Sequence, residues 1–399
     1  MGGTNAVSAL DRRQILRLFG ALAAAGTGGP ALAGCGTTAQ SAAPLTTVRV
    51  GLIVPQTGTN KFIGDELNAG FQLYLKLNDG KLGGRPVEVA TVNEGETAES
   101  GRAAVDQLVK SSVHVLSGIA SSAVMTAIRD AVEKAEVPLL GSCASPATLG
   151  SVKYIWRTSY VNSDPSTALG GYLGGRSQSV YVLSDDSATA REQVSAFLTA
   201  FNGVAGHPPI AGNPTQIPPG GSLTQALAAV SGSGAGAVFA VFSGDRAQQF
   251  LAAFRTAGLS LPVYAPGFLT EGAEALGKLG DLALGVYTAM NYAPDLDNSR
   301  NRVFAAGYQR TYGNVPGTYA MSSYEAAAVL DKALGLVGTE LSAHAINTAL
   351  SGVGQIEGPR GGWQFNQSRT PLQRWYLRQV RRDGQVLANT VLSDLGMLG

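Results

Sequence analysis

From Val48 onwards the chain alternates short apolar runs with amphipathic stretches. The run Val48–Val54 reads as a strand. It is followed by a helix over about Gly64–Leu77, whose Leu67, Phe71, Tyr74 and Leu75 recur at helical spacing. Val87–Val92 is a second strand, and Ala103, Val105 and Leu108 mark the helix after it. Strands at Val113–Leu116 and Pro138–Leu140 flank a helix carrying Val124, Ile128, Ala131, Val132 and Ala135. The pattern then restarts. Val180–Leu183 leads to a helix with Val194, Phe197, Leu198 and Phe201. Ala237–Phe242 leads to one with Phe250, Leu251 and Phe254, stopped at Gly258, a residue suited to the left-handed position after a helix. Continuously apolar strands between amphipathic helices predict parallel sheets covered on both faces. Two such runs predict an α/β chain of two doubly wound, Rossmann-like lobes.

Such sheets bind ligands in the crevice beyond the carboxyl ends of their strands. Several of those ends here are small or hydroxylic: Pro55–Gly58, Gly118–Ser122, Gly141–Ser145 and Ser243–Asp245. Accessible backbone N–H groups and the positive end of the next helix would suit a carboxylate or another anion. Taken singly, each reads first as a helix cap. Four such ends in two lobes favour a ligand cleft.

Composition narrows the picture. With 29 Lys+Arg against 28 Asp+Glu, 14% charged residues and no basic run, nucleic acid is not an expected partner. The N-terminal 34 residues have the three parts of an export signal. Arg12 and Arg13 resemble a twin-arginine start, Leu18–Leu32 is weakly apolar, and Leu32-Ala33-Gly34-Cys35 resembles a lipobox. Acylation of Cys35 would make it the mature N-terminus and anchor an extracytoplasmic protein to the outer face of the membrane. The other reading is an Ala/Gly tail containing an incidental cysteine. Residues 35–47 are small and polar, a flexible tether. With Cys35 lipidated, Cys143, the second of two cysteines, has no disulfide partner.

Enzyme chemistry finds little support. The three histidines, His114, His207 and His344, lack a second metal ligand at i+3 or i+4, so no zinc site is expected. His114 reads as a packed strand residue. No nucleophile elbow, P-loop or dinucleotide fingerprint occurs at a strand-to-helix junction, so neither catalysis nor a cofactor is expected. Cys143 falls in the expected cleft but has no His or Lys beside it in sequence, and reads as an inert small residue rather than a catalytic thiol.

Ordered blocks then give the chain a family likeness. These are Gly51–Gly58, Leu82–Val89, Val137–Leu140 leading into Ser142–Pro146, Asp185-Asp186, Asn291–Pro294, Tyr319–Ala327 and Gly358–Gly361. In order and spacing the chain resembles the type I periplasmic binding proteins of ABC importers, in particular the leucine/isoleucine/valine-binding branch, from Val48 to about Leu395. The resemblance implies two lobes joined by three crossing strands, near Tyr160–Asn162, near Met290–Tyr292, and within the last 30–45 residues. Lobe 1 would hold residues 48–161 and 291–368, and lobe 2 residues 162–290 and 369–399. A small ligand would bind between the lobes, which close by a hinge and dock on permease subunits. A sensor of the same fold, signalling to a partner, is the alternative function.

The family's binding positions carry over unevenly. Ser122 matches the hydroxyl that holds the ligand carboxylate after the third strand, and Ser145 the second hydroxyl, with Cys143 two residues before it. The covering aromatic of the first loop falls at Ile63, with Phe62 beside it as a stand-in, and a later aromatic is kept as Tyr319. The opposite side departs from the pattern. Thr189-Ala190 replaces Tyr-Gly, Asp245 replaces a tyrosine, and Gly267, followed by Phe268, replaces the glutamate that pairs with the ligand ammonium. Burying an ammonium without an acid is costly. Either Asp245 takes over that role or the ligand carries no ammonium. The expected ligand is therefore a carboxylate, aromatic or otherwise atypical slightly ahead of a branched-chain amino acid.

Overall fold

A computed structural model of the chain describes residues 45–399; the readings for Arg12, Arg13, Cys35 and residues 1–44 lie outside the described residues. The first sheet has six strands in the order β2-β3-β1-β4-β5-β6. They are β1 (Val48–Val54), β2 (Lys81–Leu82), β3 (Arg85–Asn93), β4 (Val115–Gly118), β5 (Leu139–Gly141) and β6 (Ile155–Arg157), all parallel except the short β2. Between them run α1 (Lys61–Leu77), α2 (Ala98–Lys110) and α3 (Ser122–Ala135). Strand alternation explains the two covered faces. In β1, Val48, Val50, Leu52 and Val54 enter one core with Leu67 and Phe71 of α1. Ile53 points to the other, with Val105, Leu108 and Ile128. A period of two, apolar on both phases, needs helices on both sides.

The second sheet is built in the same way from β7 (Val180–Asp185), β8 (Thr215–Ile217), β9 (Ala237–Val241), β10 (Val263–Pro266) and β11 (Tyr287–Met290), with parallel pairing throughout. Its helices are α4 (Asp164–Gly174), α5 (Ala188–Asn202), α6 (Leu223–Gly232), α7 (Gly244–Thr256) and the short α8 (Ala273–Leu279). Phe239 faces the α4–α5 side, stacked on Phe197 at 3.9 Å between ring centroids, whereas Phe242 faces the other side with Phe250. Helix α7 ends as expected, with Gly258 at φ +67° just beyond it.

Three passages join the lobes. The chain leaves β6 for α4 through residues 158–163. It leaves β11 for α9 (Ser299–Tyr312) through residues 291–298, and β13 (Gly361–Phe365) for β14 (Pro371–Asp383) through residues 366–370. Helix α9 and the long α10 (Thr318–Leu336) belong to the first lobe. Gly70 of α1 allows α10 to come so near that a Cβ there would sit 2.0 Å from the Ala320 carbonyl oxygen. After α11 (Ala343–Leu350) come β12 (Ile356–Gly358) and β13, whose Ile356 and Trp363 enter the first lobe's core. Strand β14 pairs antiparallel with β11 and with β15 (Val386–Leu398). That C-terminal hairpin is absent from the strand pattern read in the sequence.

A buried polar knot ties the passages together. The Ser159 carbonyl accepts from Asn291 Nδ2 (3.1 Å), Arg360 Nη1 (2.8 Å) and Gln373 Nε2 (2.9 Å), one donor for each of the second passage, the β12–β13 turn and β14. Arg360, 1% exposed, also donates Nε to Glu325 Oε2 at 2.6 Å and lies 4.5 Å over the Trp363 ring.

Candidate functional site

The loops after β4 and β5 approach the first passage at the mouth between the lobes. Two adjacent serines divide the work there. Ser121 caps α3, its hydroxyl accepting from Val124 N–H at 3.4 Å. Ser122 is left to face the passage, and its Oγ accepts from Asn162 Nδ2 at 2.9 Å. The Asn162 N–H in turn donates to the Ser145 carbonyl at 2.9 Å. Ser145 is fully buried and its hydroxyl has no hydrogen-bond partner. A buried hydroxyl without a partner costs about 1–3 kcal/mol, which a bound acceptor would recover.

Glu94 shapes this loop, and the sequence pattern does not single it out. Its carboxylate accepts from the Ala120 and Ser121 N–H groups at 2.7 and 2.8 Å, from the end of β3. Burial outweighs those two bonds and lifts its pKa to about 7. Gly118, at φ +109°, begins the same turn, and a Cβ there would lie 2.1 Å from the Ile53 carbonyl oxygen. Both fix the backbone of the loop that leads to Ser122.

Apolar surface closes the first-lobe side. Phe62 and Ile63 lie on the first turn of α1, half-buried, and Phe62 meets Tyr319 edge to face at 6.3 Å. Cys143 and Ala120 pack into the same cluster as Tyr319. Cys143 is a free, half-buried thiol whose Sγ approaches the Ala120 carbonyl at 3.8 Å, and whose own carbonyl accepts from Ser159 Oγ at 2.8 Å. Burial, then the charges of Glu94 and Glu66, push its pKa upwards, against a reactive thiolate. Phe62, Ile63, Cys143 and Tyr319 thus share one apolar cluster, and Ser122 and Ser145 are linked through Asn162.

The second-lobe candidates are placed differently. Thr189 and Asp245 are exposed on the first turns of α5 and α7. Gly267 is buried, and the direction of a Cβ there runs into β11, 2.9 Å from the Ala289 oxygen and Met290 Cβ. Phe268 is half-buried beside the cluster that holds Tyr160 and Trp375. Two further buried acids lie elsewhere, at Glu66 in α1 and Glu271 after β10. Both act on the Tyr319 hydroxyl, whose pKa burial raises far above its ordinary value. Neither acid has a periodicity that would mark it in the sequence. His114 precedes β4 rather than lying within a strand, and its Nδ1 accepts from the Arg49 N–H at 3.0 Å. Among the described residues, no three metal-ligating side chains gather, and no helix is long and apolar enough to cross a membrane.

Comparison with known proteins agrees with this architecture. The family model described as "Periplasmic binding protein" matches residues 47–385. A Leu/Ile/Val-binding protein homolog 6 from Brucella melitensis is 28% identical over 362 residues, covering 86% of this chain and 90% of that protein. Among solved structures, a solute-binding protein of an ABC transporter from R. palustris, in complex with benzoate, has 26% identity and a TM-score of 0.75, covering 88% of this chain and 97% of that one. A substrate-binding protein of an ABC transporter from Sphaerobacter thermophilus has 26% identity and a TM-score of 0.79, covering 88% and 98%. These relatives are solute-binding proteins of transporters rather than enzymes. Matched by that family model over most of its length, and built of two doubly wound lobes joined by three passages, this chain belongs to the periplasmic binding protein family.

Proposed function

We propose that this protein is an extracytoplasmic solute-binding lipoprotein of an ABC importer, anchored through Cys35, that delivers its cargo to permease subunits. The cargo is a small carboxylate held between lobes divided near 161/162, 290/291 and 368/369. The observation that carries the ligand class is the Ser145 hydroxyl, buried without a partner, on a loop that Asn162 links to the Ser122 hydroxyl. Hydroxyl donors at two neighbouring loop ends suit a carboxylate. Phe62 and Tyr319 supply the ring-shaped apolar wall, and aromatic contacts of that kind add about 0.5–1.5 kcal/mol beyond burial.

An aromatic acid ranks ahead of leucine, isoleucine or valine because neither Gly267 nor the exposed Asp245 brings a buried acid to an α-ammonium. The benzoate-bound R. palustris relative supports the same preference. Titration calorimetry of benzoate and 4-hydroxybenzoate against leucine, isoleucine and valine tests it. Micromolar benzoate-type binding with no heat from leucine is the expected result. Tight leucine binding abolished by Asp245→Ala would overturn the preference.

A further inference from the structure

Two buried acids, Glu66 and Glu271, come from opposite lobes and meet at the N-terminus of α10. Glu66 Oε2 and Glu271 Oε1 lie 2.7 and 3.1 Å from the point where a Cβ on Gly317 would sit, so both carboxyls flank one spot. Glu271 is neutralised. Its Oε2 accepts from Arg378 Nη2 at 2.8 Å, and its Oε1 from the Thr318 N–H at 2.6 Å, an amide of the other lobe. Glu66 has no such cation. Its Oε2 is buried without a hydrogen-bond partner, and its Oε1 lies 3.0 Å from the Cβ position of Gly272. Besides Glu271, the groups bearing on Glu66 are Glu274 of α8, the Cys143 thiol, and the hydroxyls of Tyr292, Tyr308 and Tyr319. None of these is a cation. One arginine therefore serves two carboxyls drawn from two lobes.

We infer that Glu66 and Glu271 form a proton-holding pair across the lobes, so that closure on a ligand takes up one proton at Glu66. This rests on the reading of the cleft as a ligand site that closes by a hinge. The balance is simple: Glu66 passes from carboxylate to carboxylic acid, and the proton comes from solvent. Burial and then the Glu271 charge lift the Glu66 pKa to about 8, outweighing the nearby amides of Ala320 and Gly317. With the lobes apart, the same side chain would regain water and lose Glu271, and its pKa would return towards the ordinary 4.5. A group whose pKa is higher in the closed form favours closure fully below 4.5. That advantage is lost progressively as pH rises to about 8, and is constant above.

The test is titration calorimetry of benzoate, with leucine as second probe, at pH 5.5, 7 and 8.5, on wild type and Glu66→Gln. Both probes keep their carboxylates ionised across this window. Glu94 and Asp164, also held near 7 by burial, titrate there too, so the difference between the two proteins is the readout. The wild-type Kd should weaken more steeply than that of Glu66→Gln, by up to about tenfold for each pH unit. At pH 5.5 wild type should already be weaker than Glu66→Gln, by about tenfold, because its open form is mostly ionised there; the gap closes only below 4.5. Equal slopes in both proteins would overturn the inference. Should neither probe bind at any pH, the ligand reading has failed, and small-angle scattering of the unliganded chains decides the pair. There, a radius of gyration that shrinks on acidification in wild type alone supports it, and an identical response in both proteins overturns it.

Discussion

Arg360 offers a quantitative test of the hinge. Arg360→Met keeps a long apolar stem near Trp363 but removes the guanidinium that pairs with Glu325, a carboxylate with no exposed surface. Burial already pushes Glu325 upwards from its ordinary 4.5, with Arg360 the main opposing influence. Without that cation Glu325 stays buried only by taking a proton. Protonating a group of pKa 4.5 costs about 1.4 kcal/mol for each pH unit above that value, hence about 3 kcal/mol at pH 7. The Thr158 and Ser159 carbonyls also lose a donor, at about 1 kcal/mol for each bond, although Ser159 keeps Asn291 and Gln373. The sum, about 4–5 kcal/mol, falls within the range for breaking one partner of a buried ion pair. Its signature is pH. Because the variant's Glu325 has a raised pKa in the folded state, stability is lost as pH rises from 4.5. At pH 5 the protonation part should shrink to under about 1 kcal/mol. Urea unfolding at pH 5 and 7 measures both values, and Arg360→Met/Glu325→Leu should recover most of the loss at pH 7. A cost that is the same at both pH values, or a double variant no more stable than the single one, would refute the reasoning.

Other expectations are shorter to state. Ser145→Ala should weaken benzoate binding by about tenfold or more, the worth of a hydrogen bond to a charged group, and leave the unliganded melting temperature unchanged or higher because Oγ has no partner to lose; calorimetry and a thermal melt read the two halves. Gly118→Ala forces a Cβ to 2.1 Å from the Ile53 carbonyl at a positive φ, so it should destabilise the first lobe by more than about 1 kcal/mol and weaken binding through Ser122; a melting temperature equal to wild type would contradict this. Cys35→Ala should move the protein from the membrane fraction to the soluble fraction on cell fractionation, and an unchanged distribution would remove the lipid anchor from the account.

Much of the architecture was legible along the chain because it is a matter of period. In Ala237–Val241 both phases of the strand are apolar and in Val48–Val54 every residue but Arg49 is buried, which only a sheet covered on both faces can satisfy, and the helices between carry one apolar stripe each. The placing of two serines was legible for a related reason. Ser122 and Ser145 lie in the loops beyond β4 and β5, so strand position alone places them at one edge of one sheet. Other assignments depended on which groups meet. Of two adjacent serines, Ser121 caps the helix and Ser122 accepts from Asn162, which arrives from the passage between lobes. Asp245 looked suited to a buried role, yet it lies on an exposed first turn, and no local pattern sets Glu66 or Glu271 apart from a solvated glutamate. Their burial, the knot at Ser159, and the pairing of β14 with β11 all join residues more than fifty positions apart. Periodicity records how one element covers its neighbours; the desolvation and pairing of a charge depend on a partner the local sequence does not contain.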